Sequence, residues 1–290
     1  YKAELDPLAP NVRVAVLVDK NSASASEITS GNFQDVDRGV VVGQRSYGKG
    51  LVQQTRPLTF NCQMKLTVAK YYTASGRCVQ TKIYTHTSSE TSAFEEVADS
   101  LIKPFKTKNG RTVFDGSAVY PDVYVALKDT SNITKSLYRK MVIFDYASYF
   151  RTKNATIDST GDFKLSDAEY NDFVNFVLAK KVDYSTQTEL AFNDLLETTK
   201  RDKYYASASK EIDFLGGKIK HDLKSDLMAA KSEIKDLLEK EIVGRYYFQS
   251  GKNKFMMKND PVLLKALETI SNAGLYNSIL KGEEIGRAHV

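Results

Sequence analysis

Apolar residues fall in short runs rich in Val, Thr and Tyr over the first part of the chain, and at helical spacing over the second. Val12 to Val18 (VRVAVLV) reads as a buried strand. Leu51–Thr55 and Gln63–Tyr72 read as further strands. Asn109-Gly110 between two alternating runs signals a hairpin over Phe105–Phe114, and Thr91–Lys103 reads as a short helix. The pattern changes near Leu127–Ser131. Beyond it the predicted helices are Lys135–Arg151, Ser166–Lys180, Gln187–Tyr205, Ala206–Arg245 with a break at Gly216-Gly217, and Pro261–Asn272. Ser166 with Glu169 spells a capping box. Ile219, Leu223, Leu227, Ile234, Leu237 and Leu238 make an amphipathic stripe, suited first to packing and alternatively to a partner. The reading is α+β: a β-rich domain over 1–128 and an α-helical domain over 129–283.

The turn after the first strand carries the candidate chemistry. Asn21-Ser22-Ala23-Ser24-Ala25-Ser26-Glu27 places small hydroxyls at a helix start, where free backbone N–H groups gather. Tyr47-Gly48-Lys49-Gly50, with Gln53 beyond, places a lysine on a glycine-flanked turn. A serine hydroxyl is a weak nucleophile until a neighbour removes its proton. A free lysine amine is protonated at pH 7, and burial can lower its pKa by about 3–5 units. Lys49 as base therefore requires a dry pocket, for which Tyr47, Leu51 and Val52 offer apolar walls. Taken singly, the serine run is an ordinary helix cap and Lys49 an ordinary surface lysine. Their order and spacing join them.

These residues resemble the C-terminal processing peptidases, the tail-specific serine proteases of family S41. The resemblance runs through Val16–Gln34, Gly39–Gln54, Leu66–Gln80 and Gly110–Val125. It implies a ClpP/crotonase-like protease core, in its C-terminal portion, followed by a helical domain. It further implies that Ser24 is the nucleophile, Lys49 the general base and Gln53 the helper that orients the lysine. Residues four apart on a strand share a face, which would let Gln53 reach back. The backbone N–H of Ala25 becomes one oxyanion donor, and Ser22 and Ser26 are the alternative nucleophiles. The family's other oxyanion donor and its PDZ domain lie upstream and have no counterpart here, so the chain is expected to be a C-terminal fragment. The substrates implied are proteins with apolar, unstructured C-termini in the periplasm or cell envelope. Adaptor binding or self-association through the helical domain is a further expectation. A non-catalytic tail-binding scaffold of the same family is the alternative.

Other chemistries fit less well. Gly43 to Lys49 nearly spells a phosphate-binding loop, but Gly50 stands where Ser or Thr must hold Mg²⁺, and a strand follows instead of a helix. Asp158, Thr160, Asp162 and Glu169 mimic a calcium loop, yet Phe163 occupies the position that needs glycine. His86 and His221 are remote from Ser24 in sequence, and no cluster has metal-ligand spacing, so neither metal nor cofactor is expected. Cys62 and Cys78 are read as free thiols, with a bridge as the alternative. The net charge of +5 is spread out, without the concentrated stripe of a nucleic-acid binder. No apolar run spans a bilayer. Residues 284–290 are expected to be a non-native tail.

Overall fold

The apolar run near the start of the chain forms strand β1 (Ala15–Val18), which leads through a turn into helix α1 (Ala25–Asp35) and then strand β2 (Val40–Gly43). The computed structural model describes residues 5–84, 94–127, 129–158, 162–182, 184–220 and 222–283. The chain divides into two units, residues 1–127 with 260–290, and residues 128–259. His86, His221 and the tail at 284–290 lie outside the described residues.

In the first unit, β3 (Leu51–Pro57) pairs antiparallel with β4 (Gln63–Lys70), β5 (Lys82–Tyr84) with β6 (Phe94–Glu96), and β7 (Pro104–Lys106) with β8 (Thr112–Phe114). The Asn109-Gly110 hairpin thus forms where the turn signal placed it. The helix expected over Thr91–Lys103 does not. Residues 94–96 are the β6 strand, followed by a short 3₁₀ turn at Asp99–Leu101, because a ladder with β5 outweighs weak local helix preference. Residues 91–93 lie outside the described residues.

Strands β1 and β2 pair in parallel, and β9 (Val123–Tyr124) joins the far edge of β2, also parallel. Val40, Val41 and Val42 are fully buried, as expected for a strand covered on both faces. Alternation sorts them: Val40 and Val42 face one layer, Val41 faces the other with Val18, Val79 and Val119. The sheet is therefore β–α–β at its heart.

The second unit is helical: α2 (Asn132–Arg139), α3 (Val142–Lys153), α4 (Asp167–Ala179), α5 (Gln187–Arg201), α6 (Tyr205–Ile219), α7 (Leu223–Ala229) and α8 (Lys231–Lys258). The helix expected over Lys135–Arg151 is two helices, split at Met141, which takes a left-handed φ of 59°. The Ser166–Glu169 capping box opens α4, with Ser166 N–H donating to Glu169 Oε2 at 2.7 Å. Tyr146, Phe150, Phe163, Tyr170 and Phe173 form an aromatic core with Leu227, Ile234 and Leu238 of the predicted stripe. Gly216 and Gly217 do not break a helix. They lie inside α6, and a Cβ on Gly216 would stand 2.8 Å from the ring of Phe192 on α5, so the missing side chain admits a neighbour.

The chain then returns to the first unit through α9 (Pro261–Ser271), capped by Asp260, and α10 (Ala273–Lys281). Ala266, Tyr276 and Ile279 pack against Val40 and Val42, and the Val14 N–H donates to the Tyr276 hydroxyl at 3.0 Å. These helices were expected within a domain spanning 129–283. They instead cover the open face of the parallel sheet, whose apolar valines need a second layer.

Candidate active site

In a parallel sheet joined by a helix, the loops after each strand open at the same edge, where ligands bind. The turn after β1 carries Ser24 and the loop after β2 carries Lys49, so adjacent strands bring the two segments together.

The Ser24 turn is built by Asp19. Its carboxylate accepts from the Asn21 N–H at 2.9 Å, the Ser22 N–H at 3.0 Å and the Ser22 hydroxyl at 3.1 Å. Burial works against its charge, but these bonds prevail and hold its carboxyl below the usual range. The Ser22 hydroxyl also accepts from the Asp19 N–H, so it serves the turn. Ser26 is exposed on the first turn of α1. Ser24 itself is half-buried at the N-cap with φ 57° and ψ −114°. Only glycine adopts that region freely, and a side chain held there costs about 1–3 kcal/mol. Ala25 is the first residue of α1 and is exposed, so its N–H is among the donors a helix leaves unpaired.

The residue that organises this site was not foreseen. Glu27 is wholly buried. Its Oε2 accepts from the Ser24 N–H at 3.0 Å and from the Lys49 N–H at 2.8 Å. Its Oε1 accepts from the Gly48 N–H at 2.6 Å and the Ser46 hydroxyl at 2.5 Å. One carboxylate therefore anchors both segments. Serine followed three residues later by glutamate, just before a helix, is a capping-box signature. That signal was present in Ser24-x-x-Glu27 and marked Glu27 as a residue that turns back on the N-cap.

The lysine loop is pinned from its other side. Gly48 has φ +90°, its carbonyl accepts from the Thr81 N–H at 3.1 Å, and a Cβ there would lie 2.3 Å from the Thr81 side chain. The Gly50 N–H donates to Gln80 Oε1 at 2.7 Å. The Tyr71 hydroxyl donates to the Lys49 carbonyl and lies 3.2 Å from the Ser24 carbonyl oxygen.

Lys49 is half-buried. Of its expected apolar walls, Leu51 is half-buried, whereas Tyr47 and Val52 are exposed. Gln53 is exposed on β3, and its side chain makes no hydrogen bond to Lys49 among the described residues. Residues four apart share a face only along a regular strand. Lys49 precedes β3, and a bulge shifts the register between Val52 and Gln53.

β3, not a helix, follows Lys49, which removes the geometry a phosphate-binding loop needs. Cys62 is exposed, Cys78 is half-buried, and both are free thiols. Among the described residues, no group of three or more His, Cys, Asp or Glu side chains is placed to hold a metal, and no helix is long and apolar enough to cross a membrane.

Residues 1–88 match the model of peptidase family S41, and residues 133–270 match the model described as the C-terminal helical domain of a probable PDZ-protease. Over its first 88 residues the chain is thus similar to peptidase family S41. Its mixed α and β architecture is an S41 core followed by that helical domain. A carboxy-terminal-processing protease of Bartonella bacilliformis is 44% identical over 80 residues, covering 28% of this chain and 18% of that protein. A carboxy-terminal processing protease of Bacillus subtilis is 44% identical over 69 residues, covering 24% and 14%. The tail-specific protease of Haemophilus influenzae is 39% identical over 75 residues, covering 23% and 11%. The matched segment thus spans under a fifth of these relatives' length. A solved photosystem II D1 C-terminal processing protease aligns over 40% of this chain and 21% of its own, at 26% identity and a TM-score of 0.27.

Proposed function

We propose that this chain carries the catalytic segment of a serine endopeptidase that cleaves proteins near apolar, unstructured C-termini. The observation that carries the reading is the single Glu27 oxygen that accepts from the backbone N–H of both Ser24 and Lys49. The segments bearing an alcohol and an amine are thereby anchored on one atom, at a strained helix N-cap.

In this reading Ser24 Oγ attacks the scissile carbonyl carbon while the neutral Lys49 amine takes its proton. The Ala25 N–H donates to the oxyanion of the tetrahedral intermediate. Collapse breaks the C–N bond, and Lys49 returns the proton to the leaving amine. Water, deprotonated by the same amine, then releases the acyl group from Ser24. Gln53, on the strand leaving the lysine loop, is proposed to orient the amine. The names of the relatives, carboxy-terminal-processing and tail-specific, support the substrate class. A periplasmic or cell-envelope setting is proposed with it.

Cleavage of an unfolded protein with an apolar C-terminus tests this directly. Ser24→Ala and Lys49→Ala are each expected to abolish cleavage in the full-length protein. Unchanged cleavage in either variant would sink the assignment. Retained tail binding with no cleavage by the unaltered protein would favour the scaffold.

A further inference from the structure

The lysine loop and the Ser24 turn are joined directly, the Tyr47 N–H donating to the Ser22 carbonyl at 3.0 Å, and again through side chains from helix α1 and from a third segment. Glu27 accepts from the N–H groups of Ser24 and Lys49. A further joint comes from a third segment, the residue just past β4. Tyr71 extends the β3–β4 pairing, its N–H donating to the Gly50 carbonyl at 3.1 Å, which places its ring beside the loop. Its hydroxyl donates to the Lys49 carbonyl and lies 3.2 Å from that of Ser24. The ring packs against the buried cluster of Val18, Val41, Val79 and Val119, which fixes its direction.

We propose that Tyr71 is a positioning residue, whose hydroxyl sets the separation of Ser24 and Lys49 by bridging their two carbonyl oxygens. This rests on the reading of Ser24 and Lys49 as nucleophile and base. The backbone of Lys49 is then held at both polar groups, the N–H by Glu27 and the C=O by Tyr71. Without the Tyr71 hydroxyl, the bonds at Gly48 and Gly50 still hold the loop, but the Lys49 carbonyl loses its tie toward the Ser24 turn. Burial, with the Glu27 carboxylate and the Cys78 thiol nearby, pushes the phenol well above its usual range. It remains a donor at every working pH and takes no part as base. A misplacement of about 1 Å in such an arrangement costs on the order of 10²-fold in rate.

The test compares Tyr71→Phe, Tyr72→Phe and Ser24→Ala in the full-length protein, measuring kcat, KM and thermal midpoint. Tyr72 is exposed and outside the site, so Tyr72→Phe is the control. Tyr71→Phe is expected to lower kcat by about 10²-fold with KM within about twofold, because substrate contacts are kept while alignment is lost. A kcat within about twofold of the unaltered protein, with Ser24→Ala inactive, overturns the role of Tyr71 and leaves the nucleophile standing. A fall in kcat matched by a rise in KM and a large drop in thermal midpoint would mark Tyr71 as merely structural and also overturn it. Full activity in Ser24→Ala removes the underlying reading, and the proposal with it.

Discussion

Ser24→Gly is expected to abolish cleavage while making the protein more stable. Loss of the attacking oxygen removes covalent catalysis, a fall on the order of 10⁴-fold or more. Stability moves the other way because of the backbone. Ser24 holds φ 57° and ψ −114°, a conformation that glycine adopts freely and a Cβ resists. Relief of that strain outweighs glycine's larger entropy loss on folding, for a net gain of about 1 kcal/mol, or a thermal midpoint rise of about 2–4 °C. Ser24→Ala serves as the comparison. It loses the same chemistry but keeps the Cβ, so its midpoint should stay near that of the unaltered protein. Differential scanning calorimetry of the three proteins checks the ordering. A drop in stability in Ser24→Gly would mean the N-cap geometry is not strained.

Glu27→Gln is expected to damage both stability and activity, although it alters one atom type. The carboxylate takes four donors, two on each oxygen, inside a fully buried site. An amide has one acceptor and one donor end. If the NH₂ replaces Oε2, it confronts the Ser24 and Lys49 N–H groups. If it replaces Oε1, the Ser46 hydroxyl can turn to accept, but the Gly48 N–H cannot. Either way buried donors are left unpaired, at about 2–4 kcal/mol in total. The Ser24 and Lys49 segments lose their common anchor, and a fall in kcat on the order of 10²- to 10³-fold follows from misalignment. Chemical denaturation and steady-state kinetics of the variant check the two halves separately. Wild-type kcat in Glu27→Gln would show that the shared anchor does not align the site.

How much of this was legible in the sequence follows from the range of the contacts involved. Ser24 and Lys49 were readable because their cues are local: a buried strand, a small-residue turn, a glycine-flanked lysine. Glu27 was also spelled locally, in the Ser24-x-x-Glu27 spacing, but its bonds to Ser46, Gly48 and Lys49 cross about 20 residues and appear only once β1 and β2 pair. Tyr71 reaches across the fold to Ser24 and left no local mark. The return of α9 and α10 onto the sheet was hidden for the same reason. Ala266 and Ile279 carry an ordinary amphipathic pattern, and only the uncovered face of Val40 and Val42 specifies where it goes. Gly216-Gly217 misled in the opposite sense. Glycine usually weakens a helix, yet here its small size lets Phe192 approach α6. The strand at Phe94–Glu96 likewise exists because β5 offers a partner.

The most direct test is where an acyl group lands. The protein is incubated with an activated ester of a short apolar peptide, quenched in acid, and mapped by peptide mass spectrometry. The account predicts acylation at Ser24 in the unaltered protein and its loss in Lys49→Ala. Acyl groups found on Ser22 or Ser26 instead, or undiminished labelling of Ser24 without Lys49, would contradict it.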